Sequence, residues 1–362
     1  MSTSPPRRLP HSERLLQALR GHAEVLVVMH DNPDPDAIAA GWGVLRLVQE
    51  KLGVKVRLLG GGAIVRAENR LMVELLKPPL ELVDALPPVD NAAVVLVDCG
   101  LETSNQLLAR AGKPAAVAVI DHHVTPVRGR VTAAFRDLRP LVTASATLAA
   151  SYLREQQVEP GTALATAMLY AIRTETRGAR VRYSRIDRSI GLWLTQRADP
   201  DVLCQIEQAP LSRAYFGDLV LAVQGTVLFG DAALALLPRT EGADTVGEVA
   251  DLLSRCQGVR RVLCGAMVAG NLIVSVRTAP DAGNAALLVI KLLEGLGSGG
   301  GHDHRAGGKI VGAGSKFPNA ENNGHISAAL EEELCRRWLT LCEVGDQEGI
   351  RLVPTMEILE NL

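Results

Sequence analysis

Five apolar residues running straight into one histidine and three aspartates constrain this chain more than any other stretch: Val25 to Gly41 reads VLVVMHDNPDPDAIAAG. A short apolar run bounded by charge predicts a strand buried on both faces, and the residues from Ala37 onward predict a helix. His30, Asp31, Asp34 and Asp36 then crowd the strand's C-terminal end and the helix's first turn. In open α/β sheets that is where ligands bind. Asp34 suits an N-cap, and Pro35 suits the first helical position, where no N–H bond is lost. Proline also biases Asp34 toward the extended backbone that an N-cap adopts. Capping and the helix dipole account for one aspartate. They do not call for a histidine and a second carboxylate, which together form the donor set of a divalent cation.

The pattern recurs downstream. A predicted strand at Ala93–Val97 ends in Asp98-Cys99-Gly100, and another at Ala116–Ile120 ends in Asp121-His122-His123. Three apolar strands thus deliver Asp or His at their C-terminal ends, with three of the chain's eight histidines among them. Parallel pairing would gather those ends on one edge of a sheet.

Around these strands, helices are expected at Ser12–Gly21, Ala37–Leu52 (closed by Gly53), Arg66–Leu76, Ala144–Gln156, Thr162–Ile172 and Arg185–Ala209, with a further strand at Val54–Leu59. Near Gly225 the pattern shifts to short strands (Val227–Phe229, Ala232–Leu237, Val262–Val268, Leu272–Val276) with helices at about Val246–Cys256, Asn284–Leu293 and Glu321–Leu341. The reading is an α/β protein of two domains. Residues 1–224 form a parallel-sheet domain with helices on both faces, its sheet part at about 12–142 and its helical part at 143–224. Residues 225–345 form a smaller α/β domain, and 346–362 a tail. The run at 295–314, GLGSGGGHDHRAGGKIVGAG, holds His302, His304, Arg305 and Lys309. It reads either as a linker or as glycine backbone that lets N–H groups approach an anion. Two embedded histidines leading into Lys309-Ile310-Val311 favour the second.

Composition narrows the classes. A chain of 362 residues, 47% hydrophobic, 22% charged and with net charge −2, is long enough for two domains and too near neutral for bulk nucleic-acid binding. With 3% aromatic residues, a stacking platform for long single strands is not expected. No apolar run reaches a membrane span, and the opening MSTSPPRRLPHSERL lacks the apolar core of a signal peptide, so the expectation is cytoplasmic with no membrane partner. Cys99, Cys204, Cys256, Cys264, Cys335 and Cys342 lack CxxC spacing and are expected to be reduced thiols.

With these residues assembled, the chain resembles the DHH phosphoesterase superfamily, in the branch of nanoRNases and pAp or cyclic-dinucleotide phosphodiesterases. His30-Asp31-Asn32-Pro33-Asp34-Pro35-Asp36-Ala37 is similar to the first motif, Val97-Asp98 to the second, and Asp121-His122-His123 to the third. Tyr170 to Thr176 falls where the fourth is expected. Gly299-Gly300-Gly301-His302 with Ala306-Gly307 resembles the glycine-histidine motif of the associated C-terminal domain, and Ser275-Val276-Arg277 its arginine strand.

The resemblance implies two Mn²⁺ ions, with Mg²⁺ or Co²⁺ as substitutes. His30 and Asp34 would serve one ion and Asp36 and His122 the other, with Asp98 bridging, Asp121 orienting His122 and His123 contacting the scissile phosphate. Arg277, Gly299, Gly300, Gly301, His302 and Arg305 would hold substrate from the second domain across a cleft. The implied substrate is a short RNA or dinucleotide and not long nucleic acid; a homodimer is compatible with it. The chain departs from the family pattern at three positions. Pro35 stands for glycine, Arg305 for alanine, and Glu175 for a metal-site aspartate, where the extra methylene moves the carboxylate by about 1.5 Å. An inorganic pyrophosphatase and a non-catalytic nucleotide sensor are the rival readings.

Overall fold

The computed structural model describes residues 9–353 apart from 90, 113–114, 124–132, 177–182, 239, 241, 302, 318–324 and 346. The chain divides into two compact units, Met1–Pro210 and Leu211–Leu362.

The first unit runs α1 (His11–Leu19), β1 (Glu24–Val28), α2 (Pro35–Leu52), β2 (Lys55–Gly60), α3 (Ala67–Leu76), β3 (Leu80–Leu82), β4 (Ala92–Val97), α4 (Leu107–Arg110), β5 (Ala118–Asp121), β6 (Phe135–Leu138), α5 (Ser145–Glu155), α6 (Thr162–Thr176), α7 (Arg185–Thr195) and α8 (Pro200–Glu207). Its six strands lie in the order β3-β2-β1-β4-β5-β6, and every pairing is parallel. Strand order therefore reverses between β1 and β4. In doubly wound sheets that reversal opens the crevice at the strands' C-terminal ends.

Alternation divides each central strand between two cores. Val25, Val27, Val95 and Val97 face the larger core, which α2, α5 and α6 cover, while Leu26, Val28, Val94 and Leu96 face a smaller one with Leu107 and Leu108 of α4. Each fully buried Val or Leu side chain is worth about 1.5–3 kcal/mol. The apolar run before His30 is thus what pins the strand end in place. Gly43 lets α2 pack closely on α6, since a Cβ there would lie 2.2 Å from Met168 Cε.

The second unit runs α9 (Arg213–Gly225), β7 (Val227–Phe229), β8 (Ala232–Leu237), α10 (Ala243–Leu253), β9 (Arg261–Val268), β10 (Asn271–Thr278), α11 (Ala285–Leu292), β11 (Ser298–Gly301), β12 (Arg305–Ile310), α12 (Ala313–Lys316), α13 (Ala328–Leu341) and β13 (Ile350–Arg351). Its sheet has the order β11-β12-β10-β9-β8-β7-β13 and is antiparallel except between β8 and β9. One face carries Val274, Val276, Val289 and Leu334, and the other Val246, Val249, Val262 and Cys264.

Several sequence expectations shift. The division falls at Pro210/Leu211 instead of Gly225, because Ala222 of α9 packs with Ala233 and Val249 of the second unit. The helix expected over Arg185–Ala209 breaks in two, where Asp199 caps α8 through the N–H groups of Asp201 and Val202. α13 begins at Ala328, capped by Ser327; the start expected at Glu321 lies outside the described residues. The glycine run is no linker, since it forms β11 and β12. Gly299 and Gly308 pair across these strands because α11 lies on them. A Cβ at Gly299 would meet Val289 Cγ1 at 2.9 Å, and one at Gly308 would meet Leu293 Cδ1 at 2.3 Å. Among the described residues no helix is long and apolar enough to cross a membrane, and all six cysteines are free.

Candidate metal centre

The α2 N-terminus forms as its sequence demands. Asp34 is extended at φ −87° and ψ 178° and accepts the N–H groups of Asp36 (2.9 Å) and Ala37 (3.0 Å) through Oδ1, with Pro35 behind it. His30 leaves β1 with Nδ1 2.9 Å from the Asp31 carbonyl oxygen. A carbonyl only accepts, so Nδ1 is the donor, and the lone pair of neutral His30 is on Nε2. That atom lies 3.8 Å from Asp34 Oδ1 and 3.6 Å from Asp98 Oδ2. Asp31, crowded beside it in the sequence, turns away to Arg110, whose Nη2 donates to Oδ1 at 2.9 Å. Gly61 leaves room for that pair, because a Cβ there would sit 2.1 Å from Asp31 Oδ1.

Asp98 follows β4 with φ at 58°, a left-handed conformation that Asp tolerates better than most residues. Its N–H donates to Ile120 O, tying the turn to β5. One step along the sheet, buried His122 places Nε2 3.5 Å from Asp98 Oδ1 and 3.5 Å from Asp36 Oδ2. His123 Nδ1 lies 3.7 Å from Asp98 Oδ1. These separations exceed hydrogen-bond length. They are the spacings of donor atoms gathered around a common point. Among the described residues two such groups form, His30/Asp34/Asp98 and Asp98/His122/His123, with ligand atoms within 4.8 Å of one another. Asp98 belongs to both.

The charges explain what the cluster lacks. Burial, then the charges of Asp98, Glu175 and Asp34, push Asp36 well above the usual carboxylate range. Burial would also raise Asp98, but His30, His123 and His122 around it hold it well below that range. Burial lowers His122 and keeps its imidazole neutral, as a ligand must be. His123 behaves oppositely: burial works against its charge, but the Asp121 hydrogen bond and the Asp98 charge raise it to about 9. Burial works against a charge on His30 too, but Asp34 and Asp98 raise it well above the ordinary imidazole value. A neutral His122 and a His30 whose extra proton answers buried, mutually repelling carboxylates make a donor set that fits a divalent cation of the Mn²⁺ or Mg²⁺ type.

Two expected details change. Asp121, expected to orient His122, also holds His123 through Oδ1, accepting the backbone N–H at 3.1 Å and pairing with Nδ1 at 2.7 Å. Glu175, expected on a turn after a helix ending near Ile172, lies in the last turn of α6, which continues to Thr176. On either side of Glu175, Thr174 and Thr176 donate to the Ala171 and Ile172 carbonyls of the helix (both 2.8 Å). Glu175 does bear on the cluster, since its charge is among those that raise Asp36.

In the second unit, Arg277 of β10 lies directly opposite Arg305 of β12. Like charges so placed repel, and Asp251 of α10 answers both. Arg277 Nε donates to Asp251 Oδ1 at 2.5 Å and Arg305 Nη2 to Oδ2 at 3.4 Å. Arg277, with 9% of its side chain exposed, also donates to Ser275 Oγ, Val276 O and Gly247 O, whereas Arg305 is 40% exposed. Of the glycines expected at substrate, Gly299 is covered by α11 while nothing lies within 4 Å of a Cβ on Gly300. Gly301 turns at φ 147° toward Arg305, and His302 lies outside the described residues.

Residues 24–172 match the model of the DHH family, N-terminal domain. Over that stretch the chain carries a DHH-family domain. Over 289 residues it is 31% identical to the uncharacterized protein MJ1633 of Methanocaldococcus jannaschii, across 80% of this chain and 58% of that protein. The chain therefore spans little more than half the length of that relative. An exopolyphosphatase-related protein from Bacteroides fragilis shares the fold at a TM-score of 0.67 and 14% identity, covering 91% of this chain and 97% of that one. RecJ from Thermus thermophilus, solved with Mn²⁺, aligns at a TM-score of 0.49 and 18% identity, over 95% of this chain and 56% of that one, too loosely to bear on function.

Sequence reasoning missed Ser145, Ala146 and Asp251. Their neighbours mark the first two only as a helix start and the third only as a helical residue; nothing local marks their partners.

Proposed function

We propose that this DHH protein is a metal-dependent phosphodiesterase that releases 5′-mononucleotides from very short RNA or linear dinucleotides such as pApA, with pAp as a further substrate. The observation that carries the reading is Asp98, a carboxylate shared by two imidazole-carboxylate groups at the switch point of a parallel sheet. His30 and Asp34 would hold one ion, Asp36 and His122 a second, with Glu175 beside the second and Asp98 between them. Two divalent cations supply Lewis acidity to the phosphoryl oxygens and lower the pKa of the attacking water. His30 presents Nε2 because Nδ1 is engaged by the Asp31 carbonyl. His123, raised to about 9 by the Asp121 and Asp98 carboxylates against the opposing effect of burial, carries a positive charge at neutral pH. It would hold a non-bridging oxygen of the scissile phosphate as charge builds there. Arg305, the more exposed of the paired arginines, would hold the substrate's terminal phosphate.

The test is a turnover panel with Mn²⁺ over pApA, longer oligonucleotides, pAp, cyclic dinucleotides and pyrophosphate. Preferential hydrolysis of pApA is expected. Preference for pyrophosphate, or nucleotide binding without turnover, would overturn the reading.

A further inference from the structure

The start of α5 carries an unusual arrangement of polar groups. Its N-cap, Ala144, has no side chain able to cap the helix, so the first N–H groups need partners from elsewhere. Asp36 supplies them, accepting Ser145 N–H on Oδ2 at 2.7 Å and Ala146 N–H on Oδ1 at 2.8 Å. The Ser145 hydroxyl does not close on its own helix, as Ser151 does by donating to Leu148 O. Instead it donates to Asp98 Oδ1 at 2.8 Å. Ser145 is completely buried, so no water competes for that bond.

The position of Ser145 is fixed from behind. Asp187, fully buried at the start of α7, accepts the Thr143 N–H at 3.1 Å, the Thr143 hydroxyl at 2.8 Å and the Thr147 hydroxyl at 2.7 Å. Residues two before and two after Ser145 are thereby anchored to one carboxylate. One lone pair of Asp98 Oδ1 is taken by the hydroxyl, and this holds the carboxylate with Oδ1 toward His122 and Oδ2 toward His30. Without it, the carboxylate could rotate about χ2, a soft torsion in Asp.

We propose that Ser145 is a positioning residue of the metal centre: its hydroxyl sets the orientation of Asp98 so that Oδ2 faces His30 and Oδ1 faces His122 and His123. The inference rests on the metal-centre reading above. It is tested on metal-free full-length protein by calorimetric titration with Mn²⁺ alone, without substrate. Wild type is expected to take up two ions. Ser145→Ala keeps its melting temperature without metal near that of wild type but binds Mn²⁺ about 10-fold more weakly, the lower range for loss of a group that orients a metal ligand. Ser145→Cys, similar in volume but a weaker donor, falls between the two and serves if the alanine variant does not fold. Ser151→Ala, which removes a buried hydroxyl from the same helix, binds as wild type does. Unchanged affinity in both Ser145 variants, or an equal loss in Ser151→Ala, would overturn the positioning role. A wild type that binds no Mn²⁺ would instead overturn the metal-centre reading beneath it.

Discussion

The two units solve opposite electrostatic problems by opposite means. In the first, buried carboxylates are gathered at the ends of parallel strands and restrained by N–H and O–H donors, leaving Asp36 short of positive charge. In the second, two arginines face each other across antiparallel strands and share one carboxylate, Asp251. The first collects side chains from four elements into a donor set suited to a cation. The second is a local cross-strand pair with a positive excess, suited to an anion. The difference predicts that substitutions in the first should change metal dependence and substitutions in the second should change substrate affinity.

Asp98→Asn tests this division most severely. Asparagine keeps the shape and tolerates the left-handed backbone, so the fold should survive. Loss of a carboxylate shared by both groups should cut turnover by more than about 100-fold, beyond what loss of a ligand's orienting partner does. A variant retaining a tenth of wild-type activity would break the comparison at its strongest point.

Next in size is a pH effect confined to the first unit. His123 titrates near 9 in the folded protein, because Asp121 and Asp98 outweigh the burial of its ring, against 6.5 ordinarily. Its contribution to stability is therefore complete below about pH 6.5 and lost as pH rises through 9. This group should cost the metal-free protein about 2 kcal/mol over that window, solvent screening of the half-buried ring included, and His123→Gln should remove that part of the slope. The part due to His30 remains: burial works against its charge, but Asp34 and Asp98 raise it well above the ordinary imidazole value. Urea denaturation of both proteins at pH 6 and pH 9.5 measures it, and equal slopes would place the ionisation elsewhere.

A smaller effect belongs to the second unit. Arg305→Ala should raise KM for pApA about 10-fold with kcat unchanged, the signature of binding shared by ground and transition states. A fall in kcat instead would erase the contrast between the two regions.

Smallest is Glu175. Its charge reaches Asp36 from a partly exposed position at the end of α6, so Glu175→Gln should raise the Mn²⁺ concentration for half-maximal activity about threefold, a change of roughly 0.7 kcal/mol. Glu175→Asp should be milder. An unchanged metal requirement in Glu175→Gln would return this residue to the surface.

What can be read without the structure is what the chain encodes locally. The apolar run of Val25–Met29, the Asp34-Pro35 helix start and the Asp and His residues after β4 and β5 each follow from neighbours a few positions away. Strand, cap and donor types are therefore legible. The end of α6 is not, because the helix runs on to Thr176, past the end near Ile172 that the sequence pattern gives it. The glycines of β11 and β12 look like an anion cradle, but two of them answer to the side chains of α11.

The order of residues alone dictates which chemistry is present and that it lies at strand ends. Packing in three dimensions settles how those groups are aimed. Adjacency of β1 and β4 puts Asp98 beside His30, and the start of α5, 47 residues beyond Asp98, supplies the hydroxyl that orients it. Such partners leave no periodic or local mark, because packing between distant elements brings them within hydrogen-bond reach, while the pattern along the chain records only which face of each element is buried.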